Sequence, residues 1–247
     1  MFMESRVYDD IYAHEDAFWW YRGMRKISKI ILDKYVRGVD NNILDAGCGT
    51  GGMLDLLGRY GTVTGVDINP KAVLYANLRK KATILEGNLE KLPCKSASYD
   101  LVNCNDVLYH SSISDDKAVL REFARVLRRG GLLLLREPAF DWLQSHHDRM
   151  VWTKHRYTRK ELIKKLEDNG FIVMKASYVN FFLFPVALVI RLLERPFPSC
   201  NDHTKSLFNV PYWLDRWLYY VLAAEAGLLP YINLPFGLSI VCLAKKL

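Results

Sequence analysis

The stretch NNILDAGCGTGG, residues 41–52, decides the fold. It joins a short apolar run to a glycine-rich loop, which is the order of the first strand, turn and helix in a nucleotide-binding sheet. Glycines suit such a loop because the ligand lies against bare backbone and the turn requires unusual dihedral angles. Gly47, Gly49 and Gly52 have G-x-G-x-x-G spacing, while residues 45–51 fit D-x-G-x-G-x-G. The two fingerprints imply different ligands, and residues other than the glycines have to distinguish them.

Short β-rich apolar runs alternate with helical patterns from Asn42 to about Tyr178, which is typical of a parallel sheet covered on both faces. The predicted strands are Ile43–Asp45, Val63–Asp67, Thr83–Glu86, Tyr99–Asn103, Leu132–Glu137, Ile172–Tyr178 and, at the end of the chain, Leu238–Lys245. The predicted helices between them are Gly51–Tyr60, Pro70–Lys80, Asp115–Leu127 and Thr158–Asn169. Asn69-Pro70 and Tyr157-Thr158 have the residue types of helix starts. The fold class is therefore α/β, with a Rossmann-like, mostly parallel sheet.

Helical segments flank this core. Residues 15–35, EDAFWWYRGMRKISKIILDKY, predict an amphipathic helix, and Trp213–Ala226 predicts an aromatic one. Phe181–Leu193 is nearly continuous in apolar residues, but its thirteen residues fall short of the roughly 18 that span a bilayer. We expect a buried helix on the sheet edge; a lid over an apolar substrate or an element dipping into a membrane surface is the alternative. One domain results: an N-terminal helical cap (1–40), a cofactor-binding core (41–178), a helical insertion on the substrate side (179–237) and the last strand (238–247).

The composition suits one sizeable core. Of 247 residues, 50% are hydrophobic, and 34 Lys and Arg against 27 Asp and Glu give a formal charge of +7. That excess is smaller than a dedicated nucleic-acid binder usually carries, but it leaves anionic substrates or a membrane surface open. The N-terminus lacks a signal-peptide pattern, so a cytoplasmic location is expected. The cysteines are odd in number and scattered along the chain: Cys48, Cys94, Cys104, Cys200 and Cys242. We therefore expect free thiols in a reducing compartment and no metal site.

Two acidic residues bear on the ligand. Asp67 ends the second strand, where a carboxylate accepts hydrogen bonds from ribose hydroxyls, and both fingerprints predict an acid there. Asp45 ends the first strand and faces the same crevice. A pyrophosphate there would meet a second anion, whereas S-adenosylmethionine has an ammonium and a sulfonium that a carboxylate attracts. Asp45 therefore favours S-adenosylmethionine over a dinucleotide; a role as a capping or strand-end acid is the alternative.

Several motifs coincide in order and spacing with a known family. ILDAGCGTGGMLDLL (43–57), VTGVDINPKAV (63–73), EGNLEKLP (86–93), SYDLVNCNDVLYH (98–110) and LREFARVLRRGGLLLLREP (120–138) resemble class I S-adenosylmethionine-dependent methyltransferases. They are most similar to the type 11 group, over about Asn41 to Pro138. The resemblance implies a seven-stranded sheet in which the last strand, Leu238–Lys245, lies antiparallel between strands five and six.

The resemblance also implies which residues bind the cofactor. Asp45, Gly47 and Gly49 would line the methionine part, Asp67 would hold the ribose, and Ile68 would lie against the adenine. Asn88 replaces the usual Asp of the family's G-D-A-x-x-L-P stretch, and its amide oxygen still suits an adenine amino group, so we expect binding of altered strength. The complete expected set is Asp45, Gly47, Cys48, Gly49, Asp67, Ile68, Asn88, Leu89 and Asn105, the last at the loop toward which the methyl group should point.

The second half of the chain resembles one subgroup of this family. Its P-A-x-x-x-L-x-S-x-H-D segment, residues 138–148 here, leads into an R-Y-T helix start at 156–158. Two positions depart from the pattern: Tyr109 stands where the family often has Glu, and His155 replaces the first Arg of R-R-Y-T. If these side chains contact the acceptor, its chemistry differs from that of the subgroup's usual acceptor.

Three side chains are candidates for catalysis. Methyl transfer from a sulfonium is an in-line displacement that depends on alignment and exclusion of water, and a hydroxyl acceptor also benefits from a general base. His110 follows the fourth strand, and His147 and Asp148 follow the fifth. Each has a structural alternative: His110 caps the next segment, and Asp148 pairs with Arg149 or Arg156.

Four functions stay open. The first is transfer of a methyl group to an oxygen or nitrogen atom of a small-molecule, lipid-linked or glycan-linked acceptor. The basic residues of 146–165 and the apolar segment 181–193 favour it. An RNA or protein methyltransferase is the second, although NCNDVLYH lacks the Asn/Asp-Pro-Pro-aromatic tetrad of base-amino methylation. A nicotinamide-dependent oxidoreductase is disfavoured by Asp45, and a non-catalytic S-adenosylmethionine-binding protein is the fourth. We expect no nucleic-acid partner; the sequence allows peripheral contact with a membrane and either a monomer or a homodimer.

Overall fold

The computed structural model describes residues 5–144, 148, 151–194 and 210–247. Within them, one seven-stranded sheet has the order β3-β2-β1-β4-β5-β7-β6. Its strands are β1 (Asn41–Ala46), β2 (Gly61–Asp67), β3 (Thr83–Glu86), β4 (Tyr99–Asn105), β5 (Leu127–Pro138), β6 (Phe171–Val179) and β7 (Ser239–Lys246). The helices are α1 (Ser5–His14), α2 (Trp19–Tyr35), α3 (Leu54–Leu57), α4 (Pro70–Leu78), α5 (Asp116–Val126), α6 (Arg159–Glu167), α7 (Phe184–Glu194) and α8 (Tyr212–Leu228).

The sheet has the predicted topology. Strands β1 to β5 pair in parallel, and β7 lies antiparallel between β5 and β6. Successive residues on a strand face opposite sides, so Leu133 and Leu135 belong to one core cluster and Leu134 to the other. Helices α5 and α6 cover the first face, and α2 and α8 cover the second. The apolar run of β5 is therefore buried from both sides, as a parallel sheet requires.

The predicted helix starts are confirmed by side-chain caps. The Asn69 side chain accepts hydrogen bonds from the backbone N–H groups of Lys71 and Ala72, and Pro70 occupies the first helical position of α4. Thr158 caps α6 by accepting from the N–H of Glu161 at 3.2 Å. These caps satisfy backbone donors that have no partner within a helix.

Two predicted helices have different bounds. The helix expected at Gly51–Tyr60 is reduced to α3, because Gly51 has a φ of +91° and Gly52 lies against the N-terminal segment. A Cβ at Gly52 would be 2.1 Å from Oε2 of Glu15. The helix predicted at residues 15–35 forms as α2 and begins at Trp19, and a further helix that the sequence did not predict, α1, precedes it.

The prediction of a buried helix in Phe181–Leu193 was wrong. The helix exists as α7, but Val186, Val189 and Ile190 are 60%, 56% and 50% exposed. Its start packs through Phe184 on a small cluster that does not belong to the two main clusters. Ala187 and Leu188 pack partly buried against the same cluster, so only part of the described surface of α7 is covered. No helix in the described ranges is both long and apolar enough to cross a bilayer.

Candidate active site

A cavity of about 670 Å³ lies at the carboxyl ends of β1, β2, β4 and β5. Its volume is in the range of small-molecule sites. The place is a switch point of the sheet, because β1 pairs with β2 on one side and with β4 on the other. Open α/β sheets bind their ligands in the crevice at such a point.

The structure brings together all the residues predicted to bind the cofactor. The lining of the cavity includes Asp45, Gly47, Cys48, Gly49, Asp67, Ile68, Asn88, Leu89 and Asn105. Two of the three catalytic candidates, His110 and Asp148, line the same cavity. The third, His147, lies outside the described residues.

Gly47, Gly49 and Gly51 in the loop after β1 all have positive φ angles, and at the first two a side chain is excluded for separate reasons. Gly47 has a φ of +74°, and a Cβ there would lie 2.4 Å from Cγ2 of Val107. Gly49 has a φ of +54°, with no atom within 4 Å of the position of a Cβ. Because Gly49 lines the cavity, a side chain at this position would enter the space of the ligand.

Asp45 is a buried carboxylate with one unused oxygen. Its Oδ1 accepts a hydrogen bond from Nδ2 of Asn103 at 2.7 Å, whereas its Oδ2 has no hydrogen-bond partner among the described residues. Burial raises the pKa of Asp45 to about 7, and the hydrogen bond from Asn103 opposes this shift. An ammonium group at Oδ2 would favour the ionised carboxylate and would satisfy the unpaired oxygen. The site therefore fits the cationic part of S-adenosylmethionine.

Asp67 joins the loops that follow β1 and β2. Its Oδ2 accepts from the N–H of Gly49 and its Oδ1 from the N–H of Asn69, both at 2.9 Å. Burial raises the pKa of this carboxyl group, and the backbone hydrogen bonds oppose that effect. Each carboxylate oxygen retains a second lone pair. Asp67 can therefore orient the glycine loop and accept from a ribose hydroxyl at the same time.

Asn88 contacts its own turn as well as the cavity. Its side-chain oxygen accepts a hydrogen bond from the N–H of Glu90 at 2.8 Å. One lone pair of this oxygen is left for a ligand. The predicted contact with an adenine amino group thus remains compatible with the geometry, and it competes with the turn.

His110 has the geometry of a cap. Its Nδ1 accepts from the backbone N–H of Ser112 at 3.0 Å and lies 2.8 Å from Oγ of the same residue. Burial lowers the pKa of the imidazole, which favours the neutral ring. With Nδ1 as an acceptor, the neutral ring carries its proton on Nε2 and offers a donor, not a base. This arrangement favours the capping alternative over general-base catalysis.

Asp148 also has a structural partner. Its Oδ1 accepts from Nε of Arg156 at 2.8 Å, and both side chains are almost fully buried. Arg156 donates in addition to the carbonyl oxygen of Ala139 at 2.9 Å. The pair therefore joins the segments after β5, in agreement with the structural alternative for Asp148, and a catalytic role stays a prediction.

The two departures from the subgroup pattern lie in different places. Tyr109 lines the cavity, where burial raises the pKa of its phenol. His155 contacts the carboxylates of Asp141 and Glu161 at 2.8 and 3.0 Å and is not part of the cavity wall. Tyr109 is thus the departure that can contact an acceptor.

An acidic side chain under the loop after β4 fixes its backbone. The two oxygens of Glu137 accept hydrogen bonds from three consecutive N–H groups, those of Val107, Leu108 and Tyr109, at 2.9 to 3.3 Å. Burial raises the pKa of Glu137 to about 8. The motifs in the sequence do not identify Glu137, although its position at the end of β5, next to β4, is a usable signal.

The N-terminal cap forms one wall of the cavity. Glu15 is buried, accepts a hydrogen bond from the hydroxyl of Thr50 and forms an ion pair with Arg79 at 2.7 Å. Tyr21 and its neighbours at 18–20 add aromatic surface to the same wall. Sequence reasoning placed a helix here but not these contacts, because the partners lie 35 and 64 positions away in the chain.

Comparisons with known proteins agree with this site. Residues 44–135 match a family described as a methyltransferase domain. The chain is 30% identical over 177 residues to an uncharacterized 37.1 kDa transposon protein of Streptomyces fradiae, covering 68% of this chain and 50% of that protein. It is 33% identical to a probable S-adenosylmethionine-dependent methyltransferase of Mycobacterium tuberculosis, covering 53% of this chain and 48% of that one. The chain thus spans about half the length of these curated relatives.

The fold is also similar to that of a solved methyltransferase structure. The crystal structure of a SAM-dependent methyltransferase from Methanosarcina mazei superposes with a TM-score of 0.58 at 21% identity, covering 88% of this chain and 97% of that one. At this identity the similarity concerns the fold alone. The cofactor predicted from Asp45 and the glycine loop, the sheet topology and the matched family all indicate an S-adenosylmethionine-dependent methyltransferase domain. Residues 44–135 therefore belong to a methyltransferase-domain family, in agreement with the class I, type 11 S-adenosylmethionine-dependent methyltransferases that the motifs resemble.

Proposed function

We propose that this protein transfers the methyl group of S-adenosylmethionine to oxygen or nitrogen of a small-molecule or lipid-linked acceptor. One observation carries the proposal: the cavity does not end at the cofactor residues. Its lining also includes residues outside the predicted cofactor set, which we assign to a second, acceptor-binding part; they include the apolar or aromatic side chains of Phe18, Trp19, Trp20, Tyr109, Leu214 and Leu218. A cofactor alone does not need this second part.

The two parts of the cavity have different tasks. S-adenosylmethionine supplies an electrophilic methyl carbon when it is bound. Asp45 holds its ammonium, Asp67 holds its ribose, and the glycine loop lets the ligand approach the backbone. The aromatic walls exclude water and align the acceptor with the methyl group, and alignment supplies much of the rate in such a displacement.

The proposal of a lipid-linked acceptor is supported by the two faces of α8. Leu214 and Leu218 line the cavity, whereas Trp213 and Trp217 are 69% and 57% exposed. Trp and Tyr are enriched where proteins meet the headgroup region of a bilayer. The formal charge of +7 favours anionic lipids. A helix of this kind would rest on the membrane and would present an acceptor from the bilayer directly to the cavity.

Transfer of a labelled methyl group tests the activity. The protein is incubated with S-adenosylmethionine labelled in its methyl group and with cell extract divided into aqueous, organic-soluble, protein and nucleic-acid fractions. We expect label in a low-molecular-weight aqueous or organic-soluble product, and Asp45→Asn should reduce it. Label confined to the protein or nucleic-acid fraction, or no transfer by a protein that binds the cofactor, would contradict the proposal.

Flotation with vesicles tests the lipid part separately. The probe is a vesicle of phosphatidylcholine with phosphatidylglycerol at low salt, and we expect the protein to float with it. The double variant Trp213→Ala/Trp217→Ala should lose this binding. Leu74→Ala/Leu78→Ala is the matched control, because these two side chains are also more than half exposed but lie on α4. No flotation of the unaltered protein would exclude contact with anionic membranes.

A further inference from the structure

An ion pair, Asp106 with Arg136, lies in the cavity wall beside Asn105. Asp106 follows β4, and Arg136 lies on β5 directly beside the end of β4. Nη2 of Arg136 contacts Oδ2 of Asp106 at 2.5 Å, and Nε contacts the same oxygen at 3.2 Å. Both residues line the cavity. The arginine side chain is 9% exposed and that of Asp106 is 37% exposed, so the carboxylate is the more accessible partner.

The backbone holds Asp106 in an uncommon conformation. Its φ is +56°, in the left-handed region that residues other than glycine rarely adopt. Its N–H donates to the carbonyl oxygen of Arg136 at 2.7 Å, and Glu137 holds the next three N–H groups. Strained conformations persist where surrounding contacts fix them, and they concentrate at functional sites. The position of the Asp106 carboxylate is therefore fixed before any acceptor binds.

Two buried polar atoms beside this ion pair have no hydrogen-bond partner among the described residues. Nη1 of Arg136 is a buried donor without a partner in the described part of the chain, and Oδ1 of Asn105 is a buried acceptor in the same condition. The Asp106 carboxylate has further lone pairs. Unpaired buried donors and acceptors are uncommon in folded proteins and require an explanation. A ligand that both donates and accepts would satisfy them.

The charges of the pair select among acceptor groups. A protonated amine has only donors, and Arg136 repels it. A phosphate or carboxylate has only acceptors, and Asp106 repels it. A neutral hydroxyl donates to the carboxylate and accepts from the guanidinium, whereas an alkyl amine can do both only after losing the proton that it carries at neutral pH. We propose that Asp106 and Arg136 bind a neutral hydroxyl group of the acceptor, and that Asp106 takes its proton during O-methylation. This inference rests on the proposed methyl transfer.

The transfer is balanced without another reactant. The acceptor oxygen forms a bond to the methyl carbon, the bond from that carbon to sulfur breaks, and its electron pair stays on sulfur. The hydroxyl proton moves to an oxygen of Asp106 and then to water. A carboxylate suffices as the base, because an oxygen that gains a third bond becomes strongly acidic. Arg136 acts as a positioning residue, since it holds the carboxylate and donates to the acceptor oxygen.

The methylated atom is the direct test. The unaltered protein is incubated with S-adenosylmethionine carrying ¹³C in its methyl group and with the fractionated extract, and carbon NMR identifies the new methyl group. We expect the signal of a methoxy group. An N-methyl, S-methyl or C-methyl signal would overturn the inference and leave methyl transfer standing, whereas cofactor binding without any transfer would contradict the proposed function itself.

Variants supply a second test. Asp106→Asn should lower transfer about 100-fold or more, within the usual contribution of a general base, and leave the affinity for S-adenosylmethionine unchanged. Arg136→Met should raise the KM for the acceptor as well as lower kcat, and Arg136→Lys should recover part of both. Asp100→Asn is the matched control, because Asp100 pairs with Arg128 at the other end of β4 and β5. Full transfer by Asp106→Asn would overturn the role of Asp106.

Discussion

Replacing Asp45 by Asn changes one property of the site and preserves the others. The substituted side chain has the same shape, and its oxygen can still accept the hydrogen bond that Asn103 donates at 2.7 Å. The negative charge is lost, and an amide N–H₂ group replaces the oxygen Oδ2, which is unpaired among the described residues. An ammonium that met a carboxylate oxygen would then meet a donor. The fold should persist while the contact with the cofactor is lost.

The expected loss of affinity for S-adenosylmethionine follows from the kind of contact that is removed. A hydrogen bond to a charged group contributes about 1.5–3 kcal/mol, which corresponds to roughly 10- to 150-fold in affinity. The effect should depend on pH, because burial raises the pKa of Asp45 to about 7. Below that pH the wild-type carboxyl group is increasingly neutral and resembles the amide. The loss caused by Asp45→Asn should therefore be larger near pH 8 than near pH 6.

Isothermal titration calorimetry at both pH values measures this effect. We expect wild-type affinity for S-adenosylmethionine to rise with pH, and the affinity of Asp45→Asn to depend on pH less. Asp100→Asn, which removes an acid far from the cavity on β4, should behave as wild type. If Asp45→Asn bound as tightly as wild type, or if its deficit were the same at both pH values, the assignment of Asp45 to the ammonium would be wrong.

Three further predictions concern the neighbouring residues. Asp67→Ala should weaken cofactor binding more than tenfold, because it removes a charge-assisted contact of about 1.5–3 kcal/mol. Calorimetry measures this change in affinity. An unaltered affinity would mean that the ribose lies elsewhere. Glu137→Ala should lower the free energy of unfolding by about 2–5 kcal/mol in urea titrations, since one buried and two partly buried N–H groups lose their acceptor. A loss under 1 kcal/mol, roughly the size of one ordinary hydrogen bond, would contradict this. The stability contributed by the neutral forms of Asp45 and Glu137 should be fully present below about pH 4, the ordinary pKa of these groups, and lost as pH rises through about 7 and about 8, because burial raises both pKa values in the folded state. Thermal unfolding of the ligand-free protein measures this slope, and Asp45→Asn with an unchanged slope would contradict it.

The sequence predicted the cofactor half of the site because that half is built from local motifs. Asp45, Gly47 and Gly49 lie within five residues at the end of β1 and in the loop after it, and Asp67 ends the next strand. Parallel strands bring such ends together without further information. The run of leucines in β5 likewise predicted a strand buried on both faces. All of these features depend on residues near one another in the chain.

The acceptor half could not be predicted in the same way. Asp106 stands next to a residue that the motifs identified, but its partner Arg136 is thirty positions away and meets it only through the pairing of β4 with β5. Glu15 reaches the glycine loop from the N-terminal cap. The exposure of α7 could not be predicted, because an apolar run shows only that burial would stabilise a helix. Whether another element lies in a position to bury it depends on the tertiary structure.

The central claim is that the loop after β1 binds a cationic methyl donor and not a diphosphate. Calorimetric titration of one protein sample with S-adenosylmethionine, S-adenosylhomocysteine and NAD tests it most directly. We predict binding of the first two, which share the ammonium and the adenosine, and no binding of NAD, whose diphosphate would face Asp45. Binding of NAD at this loop, with no heat from the other two, would contradict the account.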